Sequence, residues 1–245
     1  MNLTFKWFNF FIRIKRVNLF GILNTLLMKI TCLLFLLLAT CQAIGQEKLI
    51  SSVKVGNHEW QKTNLDVSLF SNGDTIFQAN SAEEWKNAYT EKKPAWCFYE
   101  FSAENGKKYG KLYNWFAVTD SRGLAPKGWR IPTEAEFETI DQTEKYFVGD
   151  KLKASSGWDN WESIDDKGVK KVNSANGNNS TGFSGLPGGC VDYNGVFHNK
   201  GIKSFFWTKT EFDTKKAVNR GLRNDHQFLH NFTDKGFGYS VRCIK

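Results

Sequence analysis

Oxygen-bearing side chains crowd one stretch of this sequence: between Ala154 and Thr181 stand Asp159, Asn160, Asp165, Asp166, Asn178 and Asn179, with Trp158 and Trp161 among them. Carboxylates and amides of this kind satisfy a hard cation such as Ca²⁺, or the hydroxyls of a sugar. An exposed indole adds a flat apolar platform. The spacing of these oxygens matches no recognised cation cage, so no metal and no cofactor is expected, and calcium stays without support from a motif. Trp161 is the better contact residue of the two indoles. Farther along, Glu211 ends the run Trp207-Thr208-Lys209-Thr210-Glu211, and Arg220 and Arg242 are cations that could pair with nearby acids. The ligand-binding candidates are therefore Trp161, Asn160, Asp165, Asp166, Asn178, Asn179, Glu211 and Arg220.

Other chemistries find less purchase. His226 and His230 are four apart, which on a helix would suit a metal, but Asn224-Asp225 opens a strand here. His226, Phe228, His230 and Phe232 then share one face with the imidazoles too far apart for easy chelation. There is no GxSxG elbow, HExxH pair or phosphate-binding glycine loop, so no catalytic residue is assigned. Acids distant in sequence, such as Asp165 and Glu211, could still meet in three dimensions.

The elements that must position these groups centre on Lys111 to Ile140. Its second half carries a capping box, Thr133 with Glu136 three residues on, followed by the apolar positions Phe137 and Ile140. The first half, with Leu112, Tyr113, Trp115, Phe116 and Val118, is too apolar to face water, so two short helices joined by a Pro/Gly-rich link are expected. Ser81 and Glu84 form a second capping box, and Trp85, Ala88 and Tyr89 predict two turns of helix ending before Pro94. Short strands with turns at Gly56-Asn57 and Asn72-Gly73-Asp74 precede it. From Gly182 onward strands and turns alternate, with turns at Gly188-Gly189, Asn194-Gly195 and Asn224-Asp225. The stretch from Ala154 to Thr181 lacks a sustained period and reads as a long surface loop.

The chain has 245 residues, 41% hydrophobic and 24% charged, with nine Trp and 21 Phe, enough for a sizeable core. The net charge of +8 is concentrated at the start, where residues 1–45 hold five cations and no acid; the remainder carries 28 basic against 25 acidic residues. No basic stripe with interleaved aromatics stands out, so nucleic acid is not an expected partner. From Met28 the chain reads as a secretory signal: one cation at Lys29, an apolar run from Ile30 to Ala39, then Ala43-Ile44-Gly45 as the cleavage site. Met28 is then the true start, residues 1–45 an extension plus signal, and 49–245 a single domain that is secreted or held in the cell envelope. Two alternatives attach to this segment. Leu19 to Ile44 is long enough to span a membrane but is interrupted by Asn24 and Lys29, and Leu38-Ala39-Thr40-Cys41 has the form of a lipoprotein box, with Thr where a smaller residue is usual. Beyond the signal Cys97, Cys190 and Cys243 remain, enough for one bridge and one spare thiol, and too widely spaced for zinc.

Seven motifs occur in the order of one family: GNHEWQKTNL, KPAWCFYE, YGKLYNWFAV, RGLAPKGWRIPTEAEFETI, STGFSGLPGG, FFWTKTE and YSVRC. Over about Val53 to Ile244 the chain resembles the fibrobacter succinogenes major paralogous domain, found in bacterial secreted and surface proteins. The resemblance implies an α+β, C-type-lectin-like fold, with two main helices on a twisted antiparallel sheet and long surface loops. It implies a core Trp207 with Glu211 fixing a loop, and a disulfide between Cys97 and Cys243, leaving Cys190 free. The Glu-Pro-Asn and Gln-Pro-Asp triplets of calcium-dependent lectins are absent. His230-Asn231 stands where the family usually has Arg, which implies a remodelled ligand face. The family has no established biochemical role. The function expected is a non-catalytic, secreted or surface-displayed binding module taking a glycan or a protein through the 154–181 loop and adjacent sheet. The alternatives are an enzyme on a sulfatase-modifying-factor-like scaffold, whose paired late cysteines are not matched here, and a structural or adhesive component of a surface assembly.

Overall fold

The computed structural model describes residues 23–31 and 50–245. The chain divides into two units, Met1–Leu49 and Ile50–Lys245. In the first, residues 23–31 are helical and exposed. Most of the apolar run after Met28, the expected cleavage site and Cys41 lie outside the described residues. Among the described residues no helix is long and apolar enough to cross a membrane.

The second unit is a mixed α+β fold. It begins with the hairpin β1 (Ser52–Val55) and β2 (His58–Gln61), turned at Gly56, whose φ of +59° is the reason for glycine there. A small sheet follows, β3 (Phe77–Gln78), β4 (Ala95–Cys97) and β5 (Leu112–Tyr113), with helices α1 (Ala82–Thr90) and α2 (Ala103–Tyr109) in its connections. Ser81 accepts the Glu84 amide at the start of α1, and Trp85 and Ala88 are buried, as the capping box and spacing predict. The turn α3 (Trp115–Val118) leads to α4 (Glu134–Glu144) and α5 (Val148–Leu152). Then come β6 (Trp161–Ile164), β7 (Lys170–Asn173), β8 (Gly188–Val191), β9 (Phe197–Lys200), β10 (Lys203–Glu211), β11 (Lys216–Arg223) and β12 (Phe228–Asp234). The largest sheet has the order β12-β11-β10-β8-β9.

Three expectations are corrected. The first half of the central stretch is helical only over the single turn Trp115–Val118 capped by Asn114: Leu112 and Tyr113 instead pair with Cys97 and Trp96, and Tyr113 also bridges to Tyr239. The large sheet is not wholly antiparallel, because β10 meets β8 in parallel at Ser204 and Gly189. Gly188-Gly189 lies in this strand rather than in a turn; Gly189 has a φ of +66°, and a Cβ there would strike the His198 carbonyl. The third concerns the cysteines. Cys97, Cys190 and Cys243 are all buried free thiols, so the Cys97–Cys243 bridge is not formed. Cys97 packs with Trp85, Leu112 and Val191, whereas Cys243 lies in a different cluster with Tyr113, Trp207 and Val241. Burial pushes the Cys190 thiol up to about 11 and the Cys243 thiol to about 12, which keeps both protonated and unreactive at neutral pH.

Helix α4 starts where its capping box predicts. The Thr133 amide donates to Glu136 Oε2 at 2.7 Å, and Arg130 Nη2 reaches Glu136 Oε1 at 2.5 Å. Burial works to raise the Glu136 carboxyl, but Arg130 and Thr133 outweigh it and lower its pKa from 4.5 to about 2. A carboxyl with a depressed folded pKa contributes stability above its unfolded pKa and loses it as pH falls through the folded one. Glu136→Gln is therefore expected to lower stability at pH 7 by about 1–2 kcal/mol, discounted for the half-exposed Arg130. It should also flatten the acid limb between pH 4.5 and 2. Urea titrations across that range check it; an unchanged acid limb would contradict the assignment.

Candidate functional site

The docking of α4 on the large sheet creates the site. Phe137 and Ile140 are fully buried and pack with Trp60, Phe206 and Leu222, so one side of the helix is fixed against the sheet. The outer side then carries Glu134, Glu138, Asp141 and Gln142, at i, i+4, i+7 and i+8, as a stripe along one face. Facing it are Arg220 from β11 and His230 from β12, which are cross-strand partners. Together these six residues line an open groove of about 520 Å³.

Arg220 forms the floor. It is only 4% exposed, its Nη1 donates to Glu134 Oε1 at 2.8 Å, and its Nη2 donates to Asp141. Its guanidinium lies over the Phe228 ring, 4.2 Å from the centroid. Two buried polar atoms at this spot have no partner, Arg220 Nε and Glu134 Oε2. His230 Nε2 lies 3.5 Å from Glu134 Oε1, and its ring meets Phe232 edge-on at 4.9 Å. Phe232 in turn stacks on Phe212 at 4.1 Å, and both rings are exposed.

Of the eight ligand-binding candidates only Arg220 lines the groove, and it is joined there by His230, which the family resemblance placed in a remodelled ligand face. The 154–181 stretch is no structureless loop but carries the β6–β7 hairpin, and its polar groups are engaged in local turns. Asp165 Oδ1 accepts the amides of Lys167 and Val169, Asn178 Oδ1 accepts that of Ser180, and Asn179 bonds Ser184 through both amide atoms. Asn160 Oδ1 accepts the Ala175 amide, while Asp166 is exposed at the hairpin tip. Among the described residues no cluster of His, Cys, Asp or Glu could hold a metal ion. Trp158 is buried, as expected, and Trp161 is half-buried, edge-on to His226 at 6.3 Å. Glu211 pairs with Lys235, whose ammonium lies over the Trp115 ring at 4.8 Å. That contact ties β10 to the chain beyond β12. Asp165 and Glu211 are not brought together: each is engaged by its own neighbours. Arg242 does not reach this region either but is enclosed elsewhere in the core.

Sequence reasoning missed Glu134, Glu138, Asp141 and Gln142; it set His230 aside as a metal ligand but read it, through the family resemblance, as part of a remodelled ligand face. The i, i+4, i+7 acidic stripe following a capping box was the available signal. What it could not reveal was the cation opposite, supplied from β11.

The fold and groove define a mixed α+β domain with an open, acid-lined groove between a helix and its sheet. Residues 53–245 match the Fibrobacter succinogenes major domain, and the chain belongs to that family. Comparison with curated proteins and with solved structures gave no match.

Proposed function

We propose that this chain is a non-catalytic binding module on a C-type-lectin-like scaffold, secreted or displayed at the cell envelope, and that its ligand is a glycan or a protein. The observation that supports this reading is the α4–β12 groove. Its floor is a guanidinium held rigid by two carboxylates, its wall a stripe of acids and an amide, and its rim the aromatic residues His230, Phe232 and Phe212. Open polar clefts rimmed by aromatic rings suit recognition. None of the six lining residues is a cysteine, serine or threonine poised as a nucleophile. This reading puts the ligand face at α4 and β12 rather than at the 154–181 hairpin expected from the sequence.

The test is a glycan array together with pull-downs from envelope fractions, run on wild type and on Gln142→Arg/His230→Ala. The expected result is a specific ligand whose binding falls at least about tenfold in the double variant, the loss of about 1.4 kcal/mol or more that a central contact carries. No ligand in either format, or one indifferent to the groove, would remove the basis for this reading.

A further inference from the structure

The groove also says what charge its occupant carries. Glu134, Glu138 and Asp141 face Arg220 alone, a formal balance of −2 with His230 neutral. Arg220 engages Glu134 and Asp141, but Glu134 Oε2 is left without a partner, and exposed Glu138 makes no ion pair among the described residues. Carboxylate acceptors in excess of the cations facing them call for a cationic donor. Arg220, itself nine-tenths buried and with Nε unpartnered, marks the place as a built site rather than a patch of surface acids.

The neighbouring strand gives the shape of that donor. β12 is the edge of the large sheet. Its antiparallel pairing with β11 turns alternate backbone amides and carbonyls outward, where an extended segment can add as another strand. Every second side chain of such a segment would point to the groove side, about 6.7 Å apart. Glu134 and Glu138, one helical turn apart, are spaced about 6 Å along α4. The two repeats are of similar length. Beside them the exposed Phe212–Phe232 stack can receive the aliphatic stem and charge of a lysine or arginine.

We propose that the groove binds an extended segment of a partner protein, laid along β12, with lysine or arginine at alternate positions. This rests on the binding-module reading and narrows its ligand. The probes are fluorescein-labelled Lys-Thr-Lys-Thr-Lys, its Glu-Thr-Glu-Thr-Glu counterpart and the rearranged Lys-Lys-Lys-Thr-Thr. Binding to the purified chain is followed by anisotropy, with amide shifts locating the site. The expected result is binding of the alternating lysine peptide alone, with shifts in α4 and β12 and a fall in affinity as salt rises. Glu138→Lys, at an exposed position, should weaken it about tenfold, while Glu83→Lys on the remote α1 changes it less than about twofold. Equal binding of the rearranged peptide, equal behaviour of the two variants, or shifts elsewhere overturns the proposal. If the lysine peptide fails while a glycan is lost on groove substitution, the cationic ligand is wrong and the binding module stands. If neither responds to groove substitution, both fall.

Discussion

Arg242→Met is expected to cost about 3–5 kcal/mol of stability and to lower the melting temperature by roughly 10 °C, the largest loss in stability foreseen for any single change outside the apolar core. Arg242 is 1% exposed, and among the described residues it has no carboxylate in an ion pair with it. Its fork donates instead to Asn64 Oδ1 at 2.9 Å, the Gln61 carbonyl at 3.1 Å, the Ser184 carbonyl at 3.2 Å and the Phe183 carbonyl. Burial lowers its pKa to about 9, which still leaves it charged at neutral pH. Methionine fills the volume but withdraws every donor, so several interior acceptors lose their partner at once. Lysine should recover little, because a point charge cannot reach acceptors spread around a planar fork. Urea unfolding followed by circular dichroism checks both variants; a loss under about 1 kcal/mol for methionine would refute the account.

Trp207→Ala should cost a similar amount, about 3–5 kcal/mol. Trp207 is fully buried on β10, 4.6 Å from the Tyr239 ring centroid, and its Nε1 donates to the Tyr113 carbonyl at 2.9 Å. That carbonyl also accepts the Tyr239 amide, so the indole's removal does not leave it orphaned and the cavity dominates the cost. Trp207→Phe, which keeps a ring, should lose only about 1–2 kcal/mol. If the alanine and phenylalanine variants unfolded at the same urea concentration with equal slopes, the cavity would not be the cause.

How far these elements were legible depends on how local their cause is. The caps at Ser81 and Thr133, the turns at Gly56 and Asn194, and the interior placement of Trp158 and Trp207 follow from neighbours within a few residues or from side-chain size, and they could be read directly. The groove could not. Arg220 meets Glu134 and Asp141 across 86 and 79 residues, and no local pattern encodes that encounter. The β6–β7 hairpin escaped for another reason. β6 alternates only between half-exposed and exposed positions and β7 is exposed at its first three, so the period of two that betrays a strand is nearly flat there. Leu112-Tyr113 misled because aromatic residues suit a helix face and a strand equally, and its partner Tyr239 lies in a distant segment. The Cys97–Cys243 pairing came from resemblance alone, which carries no information about which cluster each thiol enters.

Residues 240–244 run between elements that are far apart in sequence. Ser240 accepts the Trp207 amide, Val241 the Leu65 amide, Cys243 the Gln61 amide and Ile244 the Arg130 amide. Like a drawstring, this segment gathers edges from four separate parts of the chain. A nascent polypeptide therefore cannot complete its native packing before residues 240–244 have been made. A chain cut before Ser240 leaves the Trp207, Leu65, Gln61 and Arg130 amides without these acceptors and the interior beneath them open.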